Sequence, residues 1–124
     1  MTKDVILTVN APKPTTSYSQ AIGTEKLLFV AGQAGTDPAT GKPPEGIVAQ
    51  TNQALTNIKA ILEAGGSSLD RVVKVNVFLV KITDYKEMTD TYVKFFPNNP
   101  PARTTTTTDL PPGYLIDIDC IATR

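Results

Sequence analysis

The sequence predicts an α+β fold in which a single mixed sheet carries two helices on one face. Only two stretches show the apolar spacing of a helix, whereas six shorter stretches are β-branched or alternate between apolar and polar residues. Their order is three strands, a helix, a strand, a helix and two strands. Two helices are too few to cover both faces of a doubly wound parallel sheet, so we expect both on one face. At 124 residues the chain can form its own core, and residues 1–124 are expected to be one domain.

Three strands are predicted before the first helix. Residues 5–9 form a β-branched run, residues 17–22 resume an extended segment, and residues 27–31 are apolar throughout. Gly23 and the three residues after it are typical of a hairpin turn. The apolar run suits a strand that is buried on both faces or lies at a subunit contact.

The first helix is predicted to begin near Gly46 and to stop at Gly65 and Gly66. Its apolar side consists of Ile47, Thr51, Ala54, Leu55, Ile58, Ile61 and Leu62, which recur at helical spacing. The polar residues fall largely on the other side and are Gln50, Gln53, Asn57, Lys59 and Glu63.

The longest predicted strand covers residues 72–80. Alternation predicts an apolar face made of Val73, Val75, Val77 and Leu79. The opposite face is mixed and carries Lys74, Asn76 and Phe78.

The second helix is predicted to start at Asp84, which can cap it with Glu87 as the capping-box partner. It is predicted to end at Pro97. Its stripe of large residues is interpreted as core and consists of Tyr85, Met88, Tyr92, Phe95 and Phe96.

Two strands are predicted to close the chain. Five threonines after Pro100 and Pro101 favour the first. The second, residues 114–123, turns Ile116, Ile118, Cys120 and Ala122 toward the helices and Asp117 and Asp119 away from them. The face away from the helices would then carry charged and amide groups beside Phe78 and Leu115. A mixed face of this kind predicts burial against another copy of the chain.

Composition limits the class of function. Lys and Arg number 12, as do Asp and Glu, so the formal charge is zero and a dedicated nucleic-acid binder is not expected. The absence of histidine excludes histidine triads and histidine metal sites, and one cysteine excludes an internal disulfide. No apolar run approaches the roughly 20 residues that span a bilayer, and the N-terminal residues do not resemble a signal peptide. We therefore expect a cytoplasmic protein without a membrane partner.

Few groups are available to carry chemistry. Arg103 follows two prolines at a strand start, and its planar guanidinium matches a carboxylate in bidentate fashion; the alternative is a surface arginine paired with an acid. Asp117 and Asp119 could act as acid or base, could hold a metal weakly, or could be solvated carboxylates. Cys120 faces the core side and is expected to be inert. Tyr18 has simple packing as its alternative. These residues alone predict an oligomeric α+β domain that binds a small anion.

A series of motifs runs along nearly the whole chain. They are Ala11-Pro12, Ser17-Tyr18-Ser19-Gln20, Gly32-Gln33, Asp37-Pro38-x-Thr40-Gly41, Gln50-Thr51-x-Gln53-Ala54-Leu55-x-Asn57-Ile58, residues 69–79, Tyr92-x-x-Phe95-Phe96, Pro101-Ala102-Arg103 and residues 116–122. In order and spacing they resemble the RidA/YjgF family of reactive intermediate deaminases. The resemblance implies a chorismate-mutase-like α+β fold and a homotrimer with its sites in clefts between subunits.

The resemblance also implies hydrolysis of 2-imino acids, such as those released by pyridoxal-phosphate dehydratases, to 2-oxo acids and ammonia. The enzyme would be similar to a 2-iminobutanoate/2-iminopropanoate deaminase. Arg103 matches the arginine that clamps the substrate carboxylate, and Asp117 falls where the deaminases have a glutamate that positions water. The other implied substrate-binding positions are Tyr18, Ala31, Gly32, Thr89 and Thr105. No metal or other cofactor is expected.

Four positions depart from the pattern of these deaminases. Ala31 stands in place of a serine, Thr89 of an asparagine and Thr105 of a cysteine, and Asp117 is one methylene shorter than glutamate. The alternative hypothesis is therefore a non-catalytic trimer of the same family that binds a small carboxylate or another protein. An imine is already reactive toward water, so a clamp and one carboxylate base suffice for modest catalysis, which favours the enzymatic hypothesis.

Overall fold

Six strands form one mixed sheet in the computed structural model, which describes residues 3–124. The elements in chain order are β1 Asp4–Ile6, β2 Ala21–Gly23, β3 Leu27–Gln33, α1 Ile47–Ala64, β4 Val72–Leu79, α2 Tyr85–Tyr92, β5 Ala102–Thr107 and β6 Ile116–Thr123. Across the sheet the order is β1-β2-β3-β6-β4-β5. All neighbours are antiparallel except β4 and β5, which are parallel. The domain and signal-peptide predictions also included Met1 and Thr2, which lie outside the described residues.

Both helices pack on one face of this sheet, as the sequence predicted. The inward residues of β6 are all buried, and they are Ile116, Ile118, Cys120 and Ala122. They meet the apolar side of α1, where Ala54, Leu55, Ile58, Ile61 and Leu62 are also buried. The helix starts after Gly46 and ends at Gly65, and Gly66 adopts the left-handed φ of 81° that favours glycine. Within residues 3–124 no helix is both long and apolar enough to cross a bilayer.

Two amides of α1 contradict the prediction that its polar residues lie largely off the buried side. Gln50 and Asn57 are both fully buried. The Nε2 group of Gln50 donates to the carbonyls of Pro44 at 3.0 Å and Gly113 at 2.9 Å. Its Oε1 accepts from the backbone N–H of Leu115 at 2.8 Å. A buried amide is stable here because it satisfies backbone groups of the loops that cross the helix.

The predicted apolar face of β4 is wrong at one position. Val75, Val77 and Leu79 are buried as expected, but Val73 is 47% exposed and Val72 is buried in its place. The pairing with β6 shifts between Val72 and Lys74. A bulge of this kind adds one unpaired residue, so the alternation of side chains is offset on its two sides.

The first two strands are shorter than predicted and have other bounds, whereas β3 begins as predicted and extends two residues further, to Gln33. The side chain of Gln20 bonds to the backbone of the segment that links β1 and β2, through the N–H and carbonyl of Thr8 and the carbonyls of Ala11 and Pro12. These backbone groups are therefore satisfied without strand pairing. Residues 7–9 and 17–20 consequently lie outside the sheet.

The second helix also differs from its prediction at both ends. Asp84 makes no side-chain cap bond, because a short 3₁₀ turn, Ile82–Asp84, already gives it helical φ and ψ angles. The helix ends at Tyr92 instead of continuing to Pro97. Most of the predicted aromatic stripe is buried or packs on the core, but Tyr85 is 40% exposed.

The face of the sheet opposite the helices, here called the open face, is mixed, as predicted. Polar pairs lie near its centre, with Asn76 donating to Asp119 at 2.8 Å and Lys74 to Thr104 at 2.7 Å. Apolar side chains lie beside them and include Phe29, which is 42% exposed. Leu115 was predicted on this face but packs against the core, because its backbone N–H is held by the amide of α1.

The corrected face of β4 can be tested with two matched substitutions. We expect Val75→Ala to lower the free energy of unfolding by about 2 kcal/mol, because it removes two buried carbons and leaves a cavity. Val73→Ala should change it by less than about 0.5 kcal/mol. Urea unfolding of both variants measures the difference. Equal losses would contradict the assignment of the bulge.

Candidate functional site

Arg103 lies on β5 and is held by aromatic and hydroxyl groups of α2. Its Nη2 donates to the hydroxyl of Tyr85 at 2.8 Å and to Oγ1 of Thr89 at 3.3 Å. The guanidinium carbon lies 4.7 Å from the ring centroid of Tyr92 and 5.4 Å from that of Tyr85. We call these four residues the arginine cluster. Stacking on two rings fixes the plane of the guanidinium without neutralising its charge.

The guanidinium has no carboxylate partner among the described residues. The ion pairs found there join Lys59 to Glu63, Lys86 to Asp90 and Arg124 to Asp4. This finding argues against the alternative that Arg103 is a surface arginine paired with an acid. The hydrogen bonds described use only Nη2, so the remaining N–H groups can still donate to a carboxylate in bidentate fashion.

Thr105 shares the helix-side face of β5 with Arg103. In the parallel pairing with β4, Arg103 lies opposite Val75 and Thr105 opposite Val77, both of which are buried on the helix side. Thr105 lies two residues further along the strand, about 7 Å away. The structure therefore groups three of the predicted site residues, namely Arg103, Thr89 and Thr105.

Asp117 lies on the other face of the sheet, against the backbone of Gly32. Its pairing partner on β4 is Phe78, a residue of the open face. A Cβ atom at Gly32 would lie 2.6 Å from Oδ1 of Asp117, so only glycine permits this approach. That Oδ1 atom is buried and has no hydrogen-bond partner in the described part of the chain.

The surroundings of Asp117 favour its protonated form. Burial is the largest cause that raises the pKa of this carboxyl, and the charge of Asp119 adds to it, while the backbone N–H of Ile118 opposes the shift. Burial also raises the pKa of Tyr92 to about 12 despite the nearby Arg103, so its hydroxyl stays neutral. The same cause raises the pKa of Cys120 to about 12, which supports the prediction of an inert thiol.

A cavity of about 730 Å³ connects Asp117 with three other predicted site residues, Tyr18, Ala31 and Gly32. We call it the carboxylate cavity. Its remaining lining residues come from the N-terminal segment and from the loops after β3 and before β6: Pro12, Lys13, Thr15, Ala34, Thr36, Pro38, Gly41, Leu110, Pro111 and Tyr114. No group of three or more His, Cys, Asp or Glu residues suited to a metal ion occurs in residues 3–124.

Three buried amides hold the walls of the carboxylate cavity. Gln20 fixes the N-terminal segment and Gln50 fixes the loop before β6. Asn57 donates to the carbonyl of Thr36 at 2.8 Å, and the hydroxyl of Thr36 lies 3.0 Å from that of Tyr114. The cavity therefore has preorganised walls, each tied to the core by a side-chain amide.

Within one chain the two groups of predicted site residues do not meet. Arg103 is on the helix side of β5 and Asp117 is on the open face of β6. The strand β4 lies between them, and their pairing partners on it, Val75 and Phe78, are three residues apart. Their backbones are therefore about 14 Å apart, and their side chains point in opposite directions. The predicted site residues of one chain therefore form two separate groups, here called half-sites.

The sequence matches the family described as Endoribonuclease L-PSP over residues 8–124. It is 48% identical over 122 residues to the RutC family protein PH0854 of Pyrococcus horikoshii, with 97% of each chain covered. The chain belongs to the RidA/YjgF family. It is also 37% identical to the 2-iminobutanoate/2-iminopropanoate deaminase of Capra hircus, with 100% of this chain and 92% of that protein covered.

Family membership extends to the three-dimensional structure. RidA from an Antarctic Psychrobacter has a TM-score of 0.94 to this chain and 37% sequence identity, with 98% of this chain and 99% of that chain covered. The fold of two helices on one mixed sheet is thus the RidA/YjgF fold, as the resemblance implied.

The sequence did not identify several residues that form the half-sites. Tyr85 and Tyr92 were interpreted as core, although both contact the guanidinium. Gln20 and Gln50 were noted only as motif or polar positions. The sole signal for Gln50 was its place within an apolar helical repeat, and nothing in the sequence indicated that Tyr114 lines a cavity.

Asp117→Asn is expected to stabilise the folded protein in a pH-dependent way. The folded state holds the proton of Asp117 more tightly than the unfolded state, so the charged carboxylate costs stability above its raised pKa. The cost fades as pH falls through that pKa toward the ordinary range of aspartate. We expect a rise in Tm on the order of a few degrees near neutral pH, shrinking as the solution is acidified.

Thermal unfolding at one protein concentration measures this effect, and Asp109→Asn, at an exposed loop position, is the matched control. The control should change Tm little at any pH. A loss of stability in Asp117→Asn near neutral pH would contradict the prediction.

Proposed function

We propose that this protein hydrolyses 2-imino acids to 2-oxo acids and ammonia. The observation that carries the proposal is the unpaired guanidinium of Arg103, which is held on aromatic rings with free donors for a carboxylate. Every 2-imino acid carries a carboxylate beside its reactive carbon. The relative from Capra hircus, named as an imine deaminase, supports this substrate class.

The complete site requires two chains in this proposal. The arginine cluster of one copy would face the carboxylate cavity of a second, because the two half-sites of one chain lie on opposite faces of the sheet. A closed ring of three copies would form three such sites and would cover each open face. The mixed polar and apolar surface around Phe78 and Asn76 suits a contact that stays partly wet.

Each proposed catalytic group has one task. Arg103 binds the substrate carboxylate and places the imine carbon near Asp117, with Thr89 and Thr105 beside it. Asp117, once ionised, accepts a proton from water as the water oxygen bonds to that carbon. That proton passes to the imine nitrogen and gives an adduct with a hydroxyl and an amino group on the same carbon. The hydroxyl proton then moves to the amino nitrogen, the carbon–nitrogen bond breaks as the carbonyl forms, and ammonia leaves with the 2-oxo acid. The raised pKa of Asp117 brings this base closer to neutral pH.

RNA cleavage, which the description of the matching family names, has less support in this chain. The chain contains no histidine to act as acid or base, and its formal charge is zero. Among the described residues, Arg103 is the arginine that lies over aromatic rings and has no acidic partner. A single cation of this kind suits one small anion better than a polyanion such as RNA.

Arg103→Ala is expected to lower kcat/KM for imine hydrolysis about 100-fold, because a bidentate charged contact is lost. Arg103→Lys should retain part of the activity, since it keeps the charge but not the planar fork. The assay generates imines with an amino-acid oxidase and measures how far the protein reduces trapping by semicarbazide. Arg71→Ala, at an exposed arginine outside both half-sites, is the matched control.

Equal activity of Arg103→Ala and Arg71→Ala would contradict the assigned role. Background hydrolysis of every imine by the unmodified protein would refute the enzymatic proposal. If 2-oxo acids still raised Tm in that case, the result would favour the non-catalytic carboxylate binder.

Phe78→Glu is expected to reduce the oligomer mass and to abolish imine hydrolysis together. The substitution places a charge at the centre of the open face, although residue 78 is remote in sequence from Arg103. Val48→Glu, on the exposed side of α1, should alter neither property. Sedimentation at micromolar concentration gives the mass. Sedimentation of the unmodified protein as a monomer would defeat both the trimer and the two-chain site.

A further inference from the structure

Three side chains of α2 lie along one stripe of the helix beside Arg103. Tyr85, Thr89 and Tyr92 are spaced by four and then three residues, which places them on the same side of an α-helix. All four residues of the arginine cluster belong to one chain, so their mutual contacts do not depend on how a second copy covers the site. The hydrogen-bond donors around the guanidinium are therefore arranged within one chain.

Burial differs along this stripe and separates its two tyrosines. Tyr92 is 3% exposed, and its hydroxyl is buried without a hydrogen-bond partner in the described part of the chain. Tyr85 is 40% exposed at the start of α2, and its hydroxyl accepts from Nη2 of Arg103 at 2.8 Å. Tyr92 thus contributes its ring from the core side, whereas Tyr85 presents a hydroxyl on the accessible side, where a ligand arrives.

The hydroxyl of Tyr85 has a hydrogen-bond donor that is not in use. A phenol oxygen that accepts a hydrogen bond still carries its own proton, and no acceptor for this proton occurs among residues 3–124. Donation from a cation to the oxygen polarises the O–H bond, because hydrogen bonds in a chain strengthen one another. The hydroxyl is therefore a good donor to a second acceptor.

A carboxylate supplies the acceptor that this arrangement lacks. An ionised carboxylate has two oxygens with about four acceptor positions, more than one edge of a guanidinium fills. The hydroxyl lies 2.8 Å from Nη2, so a carboxylate oxygen bound to the guanidinium comes within reach of it. The ion pairs found in residues 3–124 do not involve Arg103, so no acidic side chain there takes this place.

We propose that Tyr85 is a further carboxylate-binding residue of the site. Its hydroxyl accepts a hydrogen bond from Nη2 of Arg103 and donates its own hydrogen to an oxygen of the substrate carboxylate. This inference rests on the proposed function and adds a binding residue to the same site. The proton stays on the phenol oxygen, and the carboxylate keeps its charge throughout the reaction. The contact is therefore equal in the ground state and the transition state, and its loss appears in KM.

Thr89 is the competing candidate for this task. Its Oγ1 lies 3.3 Å from the same nitrogen, which is a longer and weaker bond than the one to Tyr85. Thr89 is also half-buried between the two tyrosines of the stripe, whereas Tyr85 is exposed. The shorter bond and the greater exposure assign the role to Tyr85, and Thr89→Val serves as a separate arm of the test.

Tyr85→Phe removes the hydroxyl and keeps the ring beside the guanidinium. We expect KM for the imine of alanine to rise about tenfold with kcat changed by less than about twofold, and the Kd of pyruvate to rise by about the same factor as KM. An amino-acid oxidase generates the imine, semicarbazide trapping follows it, and calorimetry gives the Kd. Thr56→Val, which removes an exposed hydroxyl of α1 outside both half-sites, is the matched control and should change none of these values.

A double-mutant cycle separates a shared carboxylate contact from a general effect of the substitution. In the Arg103→Ala background the carboxylate is no longer held beside the hydroxyl, so Tyr85→Phe should lower kcat/KM by less than about twofold more. A further loss of about tenfold in that background would overturn the inference. So would a smaller oligomer mass of Tyr85→Phe on sedimentation, because the hydroxyl would then support assembly.

The outcomes separate this inference from the proposed function. Unchanged KM and Kd in Tyr85→Phe, or a larger rise in Thr89→Val, would overturn the inference while hydrolysis itself stands. If the unmodified protein bound pyruvate but hydrolysed no imine, the proposed function would fail, and the Kd of Tyr85→Phe would decide the inference. Absence of both hydrolysis and pyruvate binding would overturn both.

Discussion

The two faces of β6 impose the constraint on which the rest of the structure depends. This strand pairs with both β3 and β4, so it lies inside the sheet, and alternate residues face opposite environments. One side contributes apolar residues to the core under the helices. The other carries Asp117 and Asp119 onto the open face, where one carboxylate is bonded to Asn76 and the other lacks a partner on Oδ1. The stable packing of one face thus fixes the position of an unfavourable charge on the other.

Buried amides connect that core to the cavity. The loops around the carboxylate cavity contain many backbone groups that are not paired in strands, and such groups must be satisfied when water is excluded. Gln20, Gln50 and Asn57 provide these bonds from within the core. The hydrogen bonds that each amide makes offset the free-energy cost of burying it. The same bonds hold the loops in one arrangement. Rigidity of the cavity is therefore a property of the core.

The arginine cluster holds a charged group in a fixed orientation. A guanidinium between two aromatic rings keeps its charge and plane while losing part of its hydration. Burial raises the pKa of Tyr92 to about 12, even with the guanidinium beside its ring. The arginine cluster contains a guanidinium without an acidic partner, and the carboxylate cavity contains a carboxylate oxygen of Asp117 without a hydrogen-bond partner in the described residues. In the proposed two-chain site the substrate carboxylate binds the guanidinium, and Asp117 remains free to act as the base.

The sequence by itself determined the fold class, the helices and the alternation of β6. These follow from local periodicity, which the chain expresses clearly between Ile47 and Ala64 and between Ile116 and Thr123. The motifs also predicted that Arg103, Asp117 and Gly32 belong to one site. Tertiary structure alone decided which of them meet. A single bulge moved Val73 to the exposed face, the amide bonds of Gln20 shortened β1 and β2, and sheet order separated Arg103 from Asp117. Each of these features depends on contacts between residues that are apart in sequence, and a local sequence pattern does not predict such contacts.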